Sequence, residues 1–294
     1  MSVYEVKMVR PYVYYDERYP SHWIAKAVAK RMANALKKVG FKIVNAEEVR
    51  DLMQEALRTP LREEIVIVFS QDVVPDILVD NPSSPTANSL LRRFLNRGHS
   101  IVWMGDVPLL HVGFNDGRKQ SLTPGVVQHV LGLSPEIPNV KAPVRHTYLG
   151  WILQLPIWVG TRPHKGLAPG ISGVGFHHLS LSSHGVHAFI VSYYGQTPFW
   201  HPVSGFIRLY DMMLNRSEVL SDEIIRGIVN VVFRNPLVSI QKSLDKLYER
   251  VREIEESLNT KFETLRSELD NLGKILDKIL KLAEEKSKAR KTSG

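Results

Sequence analysis

The chain of 294 residues contains no cysteine. Disulfides, thiolate metal sites and cysteine nucleophiles are therefore excluded, and nothing points to an oxidising compartment. No stretch approaches the ~20 uninterrupted apolar residues that a membrane-spanning helix needs. The opening MSVYEVKMVRPYVYY also lacks the apolar core of a secretory signal. A cytoplasmic protein with no membrane contact is expected. Phosphate-binding fingerprints are missing as well: there is no GxxxxGK[ST], and no GxGxxG opens a helix after a strand. A P-loop and a standard dinucleotide site are thereby removed, and no cofactor is expected.

Acidic residues are the scarcer charge, 30 Asp and Glu against 38 Lys and Arg, for a net +8. The excess is diffuse, with +6 on residues 1–235 and +2 on residues 236–294, where 13 basic residues meet 11 acidic ones. Only Lys286, Lys288, Arg290 and Lys291 cluster, so residues 286–294 are predicted to be a basic disordered tail, with a polyanion contact as its functional alternative. No recognition helix or RNA-module signature accompanies this charge, so nucleic-acid binding rests on charge alone.

What is abundant is alternating periodicity, on an apolar content of 44% that can bury a full core. Arg10 to Tyr15 reads as a strand, and Ser21 stands where an N-cap belongs. The helix after it has apolar positions Ile24, Ala27, Val28, Met32, Ala35, Leu36 and Val39 and stops at Gly40. A strand from Phe41 to Val44 follows, then a helix from Ala46 to Leu57 with Glu47 and Glu48 in its first turn. Glu64 to Phe69 is a continuous apolar run of the kind found in strands covered on both faces. Asp72 to Pro85 reads as a long loop, Thr86 to Arg97 as a helix stopped by Gly98, and Ser100 to Met104 as a strand. This order predicts a doubly wound α/β domain with a mainly parallel sheet sandwiched between helices, over residues 1–235. Between Val107 and His201 the pattern weakens to one helix at Pro124 to Leu131 and one strand at Val186 to Tyr193, leaving open whether 107–201 is a subdomain. Helical spacing returns over Val203 to Leu214 and Asp222 to Phe233, and Asn235-Pro236 marks the join to the last segment.

In that segment, 236–285, the apolar residues Leu237, Ile240, Leu244, Leu247, Val251, Ile254 and Leu258 fall in steps of three and four. After an extra four-step, Phe262, Leu265, Leu269, Leu272, Leu276 and Ile279 resume the alternation, so Val251 to Phe262 is a stutter. About 45 residues of helix would reach about 65 Å, beyond the ~40 Å width of a compact domain of this size. A coiled coil between copies of the chain is expected, with the number of strands open.

In an open parallel sheet, ligands sit beyond the carboxyl ends of the strands. Asp16, Asp72 and Asp106 each follow a predicted strand, and together they could hold Mg²⁺ or share acid and base work. The alternative is that each caps a helix in its βα turn. His177, His178, His184 and His187 form the densest histidine group, a weak candidate for a metal site, since no HExxH is present and no metal is expected.

The segments EIVIVFS and LLRRFLNRGHSIVWMGDVPLL, over a range of about 8–205, resemble the class I glutamine amidotransferase-like superfamily and its ThuA-like branch. The resemblance implies a flavodoxin-like three-layer fold with a nucleophile elbow at Met104-Gly105-Asp106-Val107-Pro108. Family members that use a Gly-x-Cys-x-Gly turn place Cys there; here the position has Asp106, which removes glutaminase chemistry. His187 would correspond to a family catalytic histidine. The expected function is a non-catalytic scaffold or binding protein presenting this domain on a coiled coil. Two alternatives stand beside it: a hydrolase or carbohydrate-active enzyme using Asp16, Asp72, Asp106 and His187, and a nucleic-acid or ribonucleoprotein-associated protein.

Overall fold

The computed structural model describes residues 9–59, 63–193, 205–216, 220–233 and 236–291, without the side chains of 236–247, 277, 280 and 282–291. Contacts divide the chain after Pro236 into an α/β unit and a helical unit. The first unit is built on an eight-stranded sheet. Its strands are β1 (Val9–Tyr14), β2 (Lys42–Val44), β3 (Glu64–Phe69), β4 (Ser100–Trp103), β5 (Arg145–His146), β6 (Gly175–Ser182), β7 (Gly185–Ser192) and β8 (Phe206–Arg208). The helices around it are α1 (Lys26–Lys38), α2 (Ala46–Arg58), α3 (Leu90–Asn96), α4 (Gly125–Leu131), α5 (Tyr148–Ile152) and α6 (Asp222–Phe233).

The spatial order is β2, β1, β3, β4, β8, β7, β6, β5. From β2 to β8 the strands run parallel, and β7, β6 and β5 extend the sheet antiparallel. Every residue of β3 is buried, which explains its unbroken apolar run. Ile65, Ile67 and Phe69 enter one core with Val49 and Met53 of α2, Leu91 and Phe94 of α3 and Val126 of α4. Val66 and Val68 enter a second core with Val28, Met32 and Leu36 of α1 and Ile228 and Val232 of α6. Each such side chain contributes about 1.5–3 kcal/mol when fully buried, and β3 is the middle one of the five parallel strands. A capping box starts α2: Glu48 N–H donates to Asn45 Oδ1 and Asn45 N–H to the Glu48 carboxylate, both at 2.9 Å.

Several boundaries differ from the sequence reading. Ser21 caps nothing: α1 begins after Ala25, which supplies no side-chain cap. The third helix starts at Leu90 rather than Thr86, because Asp80 accepts from Thr86 N–H at 2.9 Å and Ser89 Oγ at 2.7 Å and ties that stretch into a turn. Asp72 to Pro85 is not all loop, since Val74–Pro75 pairs into a second small sheet and Asp76–Leu78 is a 3-10 turn. The largest correction is Val203 to Leu214. Within its described part lies β8, not a helix, and the apolar spacing arises because Phe206 and Ile207 face the two opposite cores.

The second unit is one helix, α7 (Pro236–Lys291), of 56 residues. It includes positions 286–291 that the charge run assigned to a tail; Lys, Ala and Arg are strong helix formers, so positive charge alone does not end it. Leu237, Ile240, Leu244 and Leu247 lie outside the described side chains. Further along, Val251, Ile254, Leu258, Phe262, Leu265, Leu269, Leu272, Leu276 and Ile279 are all exposed. Arg252 and Glu256 form an i,i+4 ion pair at 3.2 Å on the polar face.

Candidate functional site

The connections that leave the carboxyl ends of β1, β3, β4 and β8 carry Asp16, Asp72, Asp106 and Asp211, all buried. They do different work. Asp16 accepts from Arg18 N–H and Nε at 3.0 Å, from Arg18 Nη2 at 2.6 Å and from Ala46 N–H at 3.2 Å at the start of α2. Burial alone would raise its carboxyl, but these donors outweigh it and hold the group below the usual carboxylate range.

Asp72 accepts from the backbone N–H groups of His22 at 2.9 Å, Trp23 at 2.8 Å, Ile24 at 3.4 Å and Asp106 at 3.3 Å. It pins the loop after β1 to the turn after β4. Gly105, at φ +82°, passes so close that a Cβ there would lie 2.9 Å from Asp72 Oδ2 and Ile24 Cγ1, so only glycine serves. Burial pushes the Asp72 carboxyl up despite the four donors.

Asp106 is fully buried, and side chains from separate segments meet on it. His22 Nδ1 is 2.7 Å from Oδ2, and Arg162 Nη1 donates to Oδ1 at 2.5 Å. Val107 N–H donates to Oδ1 at 2.7 Å, and Trp103 Nε1 donates to the Asp106 carbonyl at 2.9 Å, fixing the turn. His111 Nε2 lies 4.0 Å from Oδ2. Its other nitrogen is 3.2 Å from Ser121 Oγ, and its ring meets that of His22 edge-on with centroids 4.1 Å apart. Burial, followed by the neighbouring His22 and Lys119 charges, pushes His111 down to about 4, so it is neutral at pH 7. His22 and Arg162 keep 29% and 25% of their side chains exposed, which gives the buried carboxylate a polar way out to solvent. The Arg162 guanidinium also lies 4.3 Å from the centre of the Trp23 ring.

Arg162 links this group to a second carboxylate. Its backbone N–H donates at 2.9 Å to Asp211 Oδ2, which also receives Thr161 N–H at 3.2 Å and meets His187 Nδ1 at 2.7 Å. Trp158 Nε1 donates to Oδ1 at 2.9 Å. Burial would raise Asp211, but the His187 hydrogen bond and the Arg208 charge outweigh it and hold the carboxyl low. His187 Nε2 in turn is 2.9 Å from Ser182 Oγ, which accepts from His184 N–H at 3.1 Å. Gly160 packs against this imidazole so closely that a Cβ would sit 2.1 Å from His187 Nδ1. Buried Arg208 donates from Nη1 to the Arg162 carbonyl at 2.6 Å, while its Nε and Nη2 have no hydrogen-bond partner among the described residues.

Of the aspartates singled out in the sequence, Asp72 and Asp106 are therefore joined through one backbone bond, and Asp16 stands apart at the α2 terminus. The histidine group does not gather: His177 and His178 are successive exposed residues of β6 and His184 is exposed in the turn, whereas His187 is buried on Asp211. His22, His111, Arg162, Ser182, Arg208 and Asp211 were missed. Asp211 had a signal available. It stands three residues after β8, as Asp72 does after β3 and Asp106 after β4, but the apolar spacing before it predicts a helix and hides the strand.

The sequence profile of the MJECL34 family matches residues 9–235. The chain belongs to the MJECL34 family. A relative from Methanocaldococcus jannaschii, named "Uncharacterized protein MJECL34", is 43% identical over 278 residues, covering 93% of this chain and 91% of the relative. The MJECL34 profile takes in the described α/β unit and every residue of the Asp106 and Asp211 clusters. The pairwise match is too long for the α/β unit alone to supply, so it runs into α7 as well.

Proposed function

We propose that this member of the MJECL34 family is a homo-oligomeric binding protein: α7 gathers copies of the chain as a coiled coil, and each α/β unit offers a ligand site around Asp106. The convergence of His22, His111 and Arg162 on one fully buried carboxylate carries the binding half of this reading. Strand order supports it. The parallel strands run β2, β1, β3, β4, β8, the order of flavodoxin-like sheets, in which ligands seat at the reversal between β1 and the strand beside it. The loops that meet on Asp72 and Asp106 leave β1, β3 and β4, so they flank that reversal. The same order is consistent with the amidotransferase-like resemblance, with Asp106 standing at the elbow in place of a nucleophile.

The assembly half rests on the length of α7 and its apolar seam. At 1.5 Å per residue, 56 residues span about 84 Å. By itself the helix leaves Phe262 66% and Leu269 67% exposed, a stripe that matching helices cover at a and d positions. Native mass spectrometry and sedimentation of the full chain test this directly. The expected particle is a multiple of 33.4 kDa, and Leu265→Asp, which puts a charge in the seam, is expected to return it to 33.4 kDa with a dissociation constant raised by more than about 100-fold. A wild-type chain that sediments as one 33.4 kDa particle at micromolar concentration overturns the assembly.

A second reading, hydrolysis, is favoured by one observation: Ser182 Oγ, His187 and Asp211 are linked at 2.9 and 2.7 Å in the order of an acyl-transfer triad. On that reading the group from the sequence analysis is reduced to His187, with Ser182 as nucleophile. A fluorophosphonate probe is then expected to label Ser182, with labelling abolished in Ser182→Ala. An unlabelled wild-type chain removes this reading and leaves the binding one in place.

A further inference from the structure

Among the described residues, His22, Asp106 and His111 are the one group of three metal-ligating side chains whose donor atoms lie within 4.8 Å of one another. The geometry points to a divalent transition-metal site held by His22 Nδ1, Asp106 Oδ2 and His111 Nε2. It rests on the reading of the Asp106 cluster as the ligand site and names what that site holds first.

Two imidazoles and one carboxylate are the donor set that zinc and iron(II) take with a coordination position left open. His111 is prepared for the role. Its side chain is 7% exposed, and Nε2 is buried with no hydrogen-bond partner among the described residues. In the tautomer whose Nδ1–H donates to Ser121 Oγ, 3.2 Å away, the Nε2 lone pair is free on the Asp106 side. A buried imidazole nitrogen left without a partner costs stability, so a ligand for it is the economical explanation. Asp106 is oriented in the same manner. Arg162 and Val107 N–H both occupy Oδ1, leaving Oδ2 to face the two histidines.

The three donor atoms are near the spacing that a single ion requires. Metal bonds of ~2.0 Å in tetrahedral geometry set donors ~3.3 Å apart. Here His22 Nδ1 is 2.7 Å and His111 Nε2 4.0 Å from Oδ2, one below and one above that spacing, and all three donor atoms lie within 4.8 Å of one another. His22 is the donor with room to move, since 29% of its side chain is exposed. With Asp106 and Arg162 cancelling, the bound ion leaves a net charge of +2 at the site, so the open position favours an anionic ligand.

Isothermal titration of the chelator-stripped full chain with Zn²⁺, together with Co²⁺ absorption spectra, tests the site. One ion per α/β unit is expected, bound on the order of 100-fold more weakly in both His22→Ala and His111→Ala. The double variant His177→Ala, His178→Ala, on exposed histidines of β6, is expected to bind as the wild type does. Since His111→Ala removes a buried ring, His22→Ala keeps the test valid if the former fails to fold. A wild-type chain that takes up no Zn²⁺, or binding left unchanged in His22→Ala, overturns the site. Sedimentation of the same samples separates the two claims: an intact oligomer without metal sinks only the site, and a metal-binding monomer sinks only the assembly.

Discussion

Replacing Asp211 by alanine is expected to destabilise the α/β unit by about 3–5 kcal/mol, the range for stripping one partner from a buried charged pair. The carboxylate is fully buried and holds His187 Nδ1, Trp158 Nε1, Thr161 N–H and Arg162 N–H. Each donor left unsatisfied costs about 1–3 kcal/mol, and buried Arg208 loses a neighbouring anion in the same step. Relaxation and entering water keep the total below the sum of these parts. Asp211→Asn keeps an acceptor for Trp158 but turns an amide NH₂ toward the donors now on Oδ2, so it too is expected to cost more than about 2 kcal/mol. Urea denaturation followed by tryptophan fluorescence reads both, because Trp158 touches the altered group. A loss under 1 kcal/mol for the alanine variant would mean that Asp211 is not the anchor of the segment from Trp158 to Arg162. The effect has a pH sign: the folded carboxyl is held low, so its stabilisation is present above the ordinary carboxylate range and disappears as pH falls through the lowered value.

Asp211 also lies beyond what the periodicity of the sequence shows. The helices α1, α2 and α6 are legible because each is long enough to set a period, and β3 because its apolar run is unbroken; the sequence bounds of α6 and β3 are those observed. A strand of three residues such as β8 sets none. Its central Ile207 and flanking Phe206 enter opposite cores, and Arg208 is a fully buried cation that no hydrophobicity pattern foresees. Without that strand, nothing in the sequence sets apart the aspartate beyond it. The rest of the site was hidden for another reason. His22, Asp106, His111 and Arg162 are separated by up to 140 positions along the chain and meet only because loops from several connections fold over one sheet edge. The rule that function sits after parallel strands led to Asp106 but could not supply its partners, and it could not show that Asp16 and Asp72 spend their oxygens on backbone N–H groups and Arg18.

Acidification offers the second large effect, and its sign follows from histidines held neutral by burial. His164 is fully buried, meets the Phe189 ring edge-on and makes no well-formed hydrogen bond from either ring nitrogen. Burial, reinforced by the nearby Arg208 charge, keeps its pKa well below the ordinary 6.5. The unfolded chain takes up that proton below about pH 6.5 and the folded chain does not, so stability is complete above that value and declines as pH falls. Each such histidine contributes a slope of about 1.4 kcal/mol per pH unit below its unfolded pKa. His111, pushed down to about 4, follows the same sign and by itself accounts for on the order of 3 kcal/mol between pH 6.5 and 4. With chelator present to keep the Asp106 site metal-free, urea midpoints taken from pH 7.5 to pH 5 are expected to fall steeply. Asp80 and Asp211 are held low and titrate below that interval. His164→Leu discriminates between this cause and general acid sensitivity. It removes a titrating group that forms no well-made hydrogen bond, so stability at pH 7.5 is expected to change by less than about 1.5 kcal/mol. The slope below pH 6.5 loses one histidine's share, so the variant is expected to lose less stability than wild type between pH 7.5 and pH 5. Parallel curves for the two proteins would refute a neutral His164 in the folded core.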